Sequence, residues 1–396
     1  MKLAFIIDDY LPHSTRVGAK MFHELACEFT AQGHSVTVIT PDIAQSNTLI
    51  KESLDNVSIW RFKSGEIKDV GKVKRAINET LLSFHAWRAI SKEVTQESFD
   101  AVVYYSPSIF FGPLVKKIKQ RCKCSAYLVL RDLFPQWAID AGMIRSGSMI
   151  EKYFRYFEHI SYKQADMIGL MSERNVEVFK AKNVQYPLQV LRNWASLVPH
   201  SSKNRKSYRE DLNLQGKVIY FYGGNIGHAQ DMTNLMRLAK NMQSYENAHF
   251  LFVGQGDEVE LINQLSQEWQ LSNFSYLSSV DQDEFKQLLS EVDVGLFSLA
   301  SHHTAHNFPG KLLGYMVESL PILGSVNQGN DLMPLVNESN AGFIHVNGDD
   351  AALLASAVAL CADSKRREEV GKSAYKLLSA EFSVQAAVTT ILSEIN

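Results

Sequence analysis

The stretch HNFPGKLLGYMVESLPI (306–322) puts a lysine where a plain helix does not favour one. A turn through Pro309 and Gly310 leads into Lys311, and Leu312, Leu313, Tyr315 and Met316 then follow a helical rhythm. A cation in a first helical turn is opposed by the helix dipole. It is accounted for when an anion shares the turn, because phosphate is attracted by the free amides and by the cation together. A solvated lysine at a helix start is the plain alternative. His306 and Asn307 stand just ahead of it as donors and favour the ligand reading. Gly314 is a second anomaly, since an interior glycine costs about 1 kcal/mol relative to alanine.

Other loops carry residues of the same kind. GGNIG (223–227) holds Gly224, Asn225 and Gly227, with Gln230 just beyond, and GQG (254–256) holds Gly254 and Gly256. Glycines there let a ligand approach the backbone, although each loop reads equally well as a structural turn. Gly256 is followed by DEVE, so the dinucleotide fingerprint is not met and a nicotinamide cofactor is disfavoured. In the N-terminal half, STRVGAKMF (14–22) contains Gly18, with His13 and Arg16 as donors to an anion or a hydroxyl. RDLFPQW (131–137) contributes Arg131 and Asp132. The aspartate is either a base and stabiliser of positive charge or the cap of the following turn. Asp8 and Asp9 carry the same ambiguity.

These residues are useful only if the fold gathers them, and the pattern between them says how. Short β-rich runs (LAFII 3–7, SVTVIT 35–40, VSIWRF 57–62, AVVYY 101–105, AYLVL 126–130, MIGLM 167–171) alternate with helical stretches near 19–33, 70–96, 110–121 and 148–164. After a polar stretch at 194–209 the alternation restarts at VIYFYGG (218–224), HFLFVGQG (249–256), FSYLSSV (274–280), DVGLFSL (293–299), PILGSV (321–326) and AGFIHV (341–346). Such alternation predicts parallel sheets covered by helices on both faces. Ligands then bind beyond the carboxyl ends of the strands, which is where several of the residues named above fall.

A length of 396 residues fits two domains. The net charge of −3 hides an asymmetry: residues 1–200 carry 26 Lys and Arg against 20 Asp and Glu, and residues 201–396 carry 14 against 23. The slightly acidic total and the lack of a recognisable module argue against nucleic acid as a partner. Cys27, Cys122, Cys124 and Cys361 complete no zinc-ligand spacing and read as idle thiols of a reducing cytosol. The opening MKLAFIIDDY is a first strand, broken too early for a signal peptide. The longest apolar stretch, AVVYYSPSIFFGPLV (101–115), is interrupted by serines and prolines. The basic segments 68–92 and 114–123 mix cations with Phe84 and Trp87, a combination that an anionic membrane surface selects.

As an ordered set, these motifs resemble the GT-B glycosyltransferases of family 4. GAKMFHELACEFTAQGHSVTVIT is similar to that family's first glycine loop and its continuation, YFYGGNIGHAQDM to the loop that opens its donor domain, and FLFVGQGDE to its VGxG turn. LLSEVDVGLFSL is similar to its aDv strand and FPGKLLGYMVESLPIL to its donor-site helix. Within the family the sequence is most similar to WbuB-type N-acetyl-L-fucosamine transferases of O-antigen or capsule assembly. The resemblance implies an α/β fold of two Rossmann-like domains with parallel sheets facing across a cleft. The expected division is 1–195 for the acceptor, 196–375 for the donor, and a C-terminal helix at 376–396 packing back on the first domain.

It further implies a UDP-sugar donor, a polyprenyl-diphosphate-linked saccharide acceptor, no metal or other cofactor, and a cytoplasmic protein peripheral to the inner face of the membrane. Lys311 and Asp132 are then the catalytic candidates, with His13, Arg16, Arg131 and Asp132 on the acceptor. Gly18, Gly224, Asn225, Gly227, Gln230, Gly254, Gly256 and Val280 go to the donor, as do His306, Pro309, Gly310, Lys311, Gly314 and Glu318. Two departures stand out. Family 4 usually carries Glu-x7-Glu, and those places hold His306 and Gly314 here. The family's Arg and Lys of the donor loop are replaced by Asn225 and Gln230. Glu318 is seven residues after Lys311, so it is expected to reach back over the space that Gly314 leaves. The missing carboxylates leave the stereochemical outcome open, with a nucleotide-sugar epimerase or a non-catalytic partner of the same fold as rival readings.

Overall fold

In the computed structural model, residues 1–14, 16–43, 46–67, 70–140, 142–199, 207–301 and 308–395 are described. They form two compact units, Met1–Trp194 with Val384–Asn396, and Ala195–Ser383.

The first unit is built on an eight-stranded sheet: β1 (Lys2–Ile6), β2 (Ser35–Asp42), β3 (Leu49–Leu54), β4 (Val57–Lys63), β5 (Ala101–Ser106), β6 (Ser125–Leu130), β7 (Met167–Leu170) and β8 (Leu188–Val190). The spatial order is β3-β4-β2-β1-β5-β6-β7-β8. All neighbours are parallel except β3, which pairs antiparallel with β4. Strands β5 and β6 are almost wholly buried, as expected of strands covered on both faces. Side chains alternate along β1 between two cores. Ala4 and Ile6 join the core beneath helices Lys72–Ile90 and Gly112–Cys122. Leu3 and Phe5 join the core beneath helices Val17–Ala31 and Val384–Ile395.

The second unit has six parallel strands, β9 (Val218–Asn225), β10 (Ala248–Gln255), β11 (Phe274–Leu277), β12 (Val294–Ser298), β13 (Ile322–Val326) and β14 (Gly342–Val346). Their order is β11-β10-β9-β12-β13-β14. The chain moves outward from β9 to β11, then returns to the other side of β9. The carboxyl end of β9 is therefore beside a topological switch point, where α/β sheets open a crevice for ligands. In the first unit the corresponding switch lies between β1 and β5.

The twelve expected strands are all present, and β3 and β8 are additional. Strand β3 (LIKESL) is a half-exposed edge of mixed polarity, so it lacks the apolar run that marks the others. Helix Ser364–Glu381 runs past position 376 within the second unit, and the chain joins the first unit again from Val384. No helix among the described residues is long and apolar enough to cross a membrane.

Candidate functional site

At the end of β9 the backbone of the second unit is crowded. Gly224 has φ +113°, and a Cβ placed on Gly254 would fall 1.8 Å from the Gly224 carbonyl oxygen. Beyond the body of the sheet, β9 and β10 keep pairing, Gly224 with Gly254 and Asn225 with Gln255. These glycines are first of all what lets two strand ends run this close. Gly256 has the same role, since its Cβ would meet the Ile226 carbonyl oxygen at 2.1 Å. Gly227 is enclosed by its own loop, within 2.9 Å of Asp257 and Asn225 side-chain atoms for an added Cβ.

Lys311 opens the helix Lys311–Val317, which follows β12 at the same edge of the sheet. Tyr315, one turn on, is fully buried and anchors that helix. Its hydroxyl donates to the Leu296 carbonyl at 3.0 Å and accepts from the Gly223 amide at 3.3 Å. The helix start is thereby held over β9, and the Lys311 ammonium lies 3.5 Å from the centre of the Tyr222 ring. Its Nζ is 3.8 Å from where a Gly224 Cβ would stand, so that glycine keeps the space in front of it open. The nitrogen is buried and has no hydrogen-bond partner among the described residues.

Burial drives the Lys311 pKa from 10.5 down to about 7, a penalty of about 5 kcal/mol on the charged form. The Tyr222 ring returns on the order of 2 kcal/mol, less than half of that. A charged Lys311 therefore lacks an anion, and a neutral one is poised to gain a proton when an anion arrives.

The remaining sequence candidates divide clearly. Asn225 and Gln230, at the places of the family's two cations, bond to each other (Asn225 Nδ2 donates to Gln230 Oε1 at 2.8 Å) and supply no charge. Val280 lies beyond the end of β11, half-buried against the core, where Asp281 caps the next helix. Pro309 and Gly310 form the turn into the Lys311 helix, with Gly310 at its N-cap. His306 lies outside the described residues. The helix that Lys311 opens has seven residues, and its ammonium is turned onto the Tyr222 ring.

Gly314 is explained by packing: a Cβ there would press on Leu289 Cδ1 at 3.1 Å. Glu318 is the C-cap of this helix, about 10 Å along its axis from Lys311, at the edge of the sheet where β13 begins. A residue that sequence reading missed is His228, whose Nδ1 is held 2.7 Å from Oε1 of the buried Glu258 while its ring faces solvent. Only its place in the GNIGH loop marks it in the sequence.

The first unit has its own cluster at the carboxyl edge. Gly18 lets the helix Val17–Ala31 start against Tyr105, whose ring would be 3.2 Å from a Cβ. Arg131, directly after β6, donates from Nη2 to the Arg192 carbonyl at 3.0 Å and lies 5.5 Å from the Trp194 ring centre. Its Nε and Nη1 are buried without partners. Burial lowers the Arg131 pKa to about 10, so the guanidinium stays charged at neutral pH. Desolvation raises the Asp132 carboxyl against the pull of Arg131, with Asp8 pushing in the same upward direction. Arg16 and His13 are directed elsewhere. Arg16 lies 3.5 Å from Asp9, which also accepts from Ser14 at 2.6 Å, and His13 lies 3.6 Å from Asp42. Of the acceptor candidates, Arg131 and Asp132 therefore stand side by side at the end of β6, whereas His13 and Arg16 lie beside other carboxylates.

Comparison with known proteins gives this geometry a context. Residues 204–377 match the family model for glycosyl transferases group 1. That match covers less than half of the chain. The chain is 26% identical over 237 residues to the probable glycosyltransferase WbjE of Pseudomonas aeruginosa, covering 57% of each chain. It is 23% identical over 317 residues to the putative colanic acid biosynthesis glycosyl transferase WcaI of Escherichia coli K12, covering 75% of this chain and 76% of the relative. Among solved structures it is similar to one described as trehalose-6-phosphate from E. coli bound with UDP-2-fluoro glucose. The TM-score is 0.71 at 10% identity, over 100% of this chain and 99% of that one. The fold is GT-B, as the resemblance implied.

Proposed function

We propose that the protein transfers a sugar from a UDP-sugar to a polyprenyl-diphosphate-linked saccharide in bacterial surface-polysaccharide assembly, with N-acetyl-L-fucosamine as the favoured sugar. The observation that carries this reading is the partnerless, buried Lys311 ammonium in front of Gly224. Glycosyl transfer breaks the bond from C1 to the diphosphate oxygen, leaving positive charge on the ring and negative charge on the diphosphate. Lys311 is placed to pair with that leaving group, and an interaction that strengthens as charge develops lowers the barrier. The backbone amides of Gly310 and Lys311, which follow Pro309, and the loop from Gly224 to Gly227 would take the remaining phosphate oxygens. The scheme asks for no metal, since Lys311 supplies the charge. In the first unit, Arg131 would hold the acceptor and Asp132, with its raised pKa, would receive the proton of the attacking hydroxyl. The relatives named for colanic acid biosynthesis and for glycosyl transfer support the pathway class.

The lipid-linked acceptor is supported by an exposed apolar surface on the first unit. Val73, Ile77, Leu81 and Phe84 recur at spacings of four, four and three along Lys72–Ile90, with Val73 75% and Phe84 56% exposed. Met149, Ile150 and Tyr153 continue the surface on helix Met149–Gln164. The hydroxyls of Thr80 and Tyr153 hold these two helices together. Lys74, Arg75, Arg88 and Lys152 lie on the same two helices, a pattern that fits an anionic lipid surface. Trp87 does not belong to it, because that ring packs on the core beneath Lys117 and Arg121.

Thermal shift with UDP-, GDP- and dTDP-sugars tests the donor class. Stabilisation by UDP-sugars that disappears in Lys311→Met is expected, and stabilisation by GDP-sugars alone would sink the proposal. Flotation with anionic vesicles tests the surface: an Ile77→Asp, Phe84→Asp variant should stay with the unbound protein.

A further inference from the structure

Among the described residues, His23, Cys27 and Asp55 bring a nitrogen, a sulfur and an oxygen ligand atom within 4.8 Å of one another. None of the three takes part in the sites above. His23 and Cys27 are four residues apart on Val17–Ala31 and so share one helix face. Asp55 comes from the turn between β3 and β4, at the edge of the eight-stranded sheet. His23 Nε2 lies 2.9 Å from Asp55 Oδ2 and 3.5 Å from Cys27 Sγ. Its other ring nitrogen, Nδ1, lies 2.9 Å from the hydroxyl of the buried Tyr10. A metal-ligating histidine is characteristically held from behind in this way, which fixes both its tautomer and its direction.

We propose that His23 Nε2, Cys27 Sγ and the Asp55 carboxylate form a site for a zinc-class divalent cation, with water or an external ligand in the fourth position. Zinc bonds of about 2.0–2.1 Å to nitrogen and oxygen and 2.3 Å to sulfur, set tetrahedrally, separate N from S by roughly 3.5 Å and N from O by about 3.3 Å. The first separation is already present. The second asks Asp55 to withdraw by a few tenths of an ångström, which a carboxylate 68% exposed on a turn can do. Thiolate and carboxylate together neutralise the dication, so the half-buried position holds no net charge. On binding, Cys27 loses its thiol proton to solvent. The imidazole proton moves to Nδ1 and is donated to the Tyr10 oxygen. The bound ion would fasten the β3–β4 edge hairpin to the helix Val17–Ala31.

A cobalt titration of the full-length, metal-free protein tests this directly. One equivalent of Co²⁺ should produce a thiolate-to-cobalt charge-transfer band that Zn²⁺ then abolishes, and Zn²⁺ should raise the melting temperature. Cys27→Ser should lose the band while keeping its circular dichroism. A Cys122→Ser, Cys124→Ser double variant should keep the band, and Tyr10→Phe should weaken zinc binding roughly tenfold. Absence of a thiolate band at one equivalent, or its persistence in Cys27→Ser, would overturn the assignment whatever the sugar-transfer assays show.

Discussion

Each unit buries a cation with unsatisfied nitrogens at the carboxyl edge of its sheet, and the two cations respond differently. Among the described residues Lys311 has a ring and no hydrogen-bond partner, and burial brings its pKa down to about 7. Arg131 keeps one carbonyl, has Asp132 as neighbour, and falls only to about 10. The lysine can escape its desolvation by giving up a proton, whereas the delocalised guanidinium cannot. The first unit therefore carries a permanent charge, and the proposed function gives the second one that the bound donor would switch on.

The largest expected effect follows from that difference. Lys311→Met should reduce sugar transfer by a hundredfold or more, the scale of losing one preorganised donor to a developing anion. The ligand-free variant should be as stable as the wild type or more so, because an apolar chain replaces a group that is costly to charge in place. Opposite movement of activity and melting temperature is the signature. A fall in both would instead make Lys311 a structural residue.

The pH dependence sharpens the comparison. Between about pH 7 and 10.5 the unfolded chain holds a proton on Lys311 that the folded chain has released. Stability from this residue therefore rises with pH across that window, by at most about 1.4 kcal/mol per unit, and its penalty is fully present below pH 7. The difference between wild type and Lys311→Met in denaturant titrations isolates the slope. At pH 8 the binding of UDP should take up close to one proton, read by calorimetry in buffers of different ionisation enthalpy. Arg131 should contribute no such slope below pH 9.

Arg131→Gln is expected to have a smaller effect, confined to the other substrate. Loss of its bond to the Arg192 carbonyl costs about 1–3 kcal/mol of stability. The KM for the acceptor should rise while UDP affinity stays the same. A change in UDP affinity instead would break the division of labour between the two cations.

Much of this was legible in the residue order. The continuous apolar runs of β1, β5, β6, β9, β10, β12 and β13 announce doubly covered parallel strands, and their loops announce where chemistry collects. Lys311 was conspicuous because a first helical turn repels a cation. What remained hidden depends on contacts between distant segments. Tyr222, 89 residues earlier, meets the lysine only because Tyr315 fixes the helix start to β9. Asp55 meets His23 only because the edge strand β3, which lacks an apolar run, pairs back on β4 and sets the turn between them beside the helix. The glycine loops were found for an incomplete reason, since strand-to-strand approach requires them before any ligand does.

The smallest predicted effect concerns Gly314, where the sequence raised its sharpest question. In a helix interior, alanine gains about 1 kcal/mol over glycine. Against that, a Cβ here meets Leu289 Cδ1 at 3.1 Å, and Leu289 lies in the core, where it yields only by repacking. The two terms are of similar size, so Gly314→Ala should change stability by less than about 1 kcal/mol. Combined with Leu289→Ala, the crowding is relieved, and Gly314→Ala measured in that background should be stabilising by chemical denaturation. UDP affinity should be unaltered in both backgrounds if the glycine exists for packing. Should Gly314→Ala weaken UDP binding while leaving stability unchanged, the glycine would instead be keeping space for the donor, and the second unit would owe its site to two residues of this helix instead of to Lys311 alone.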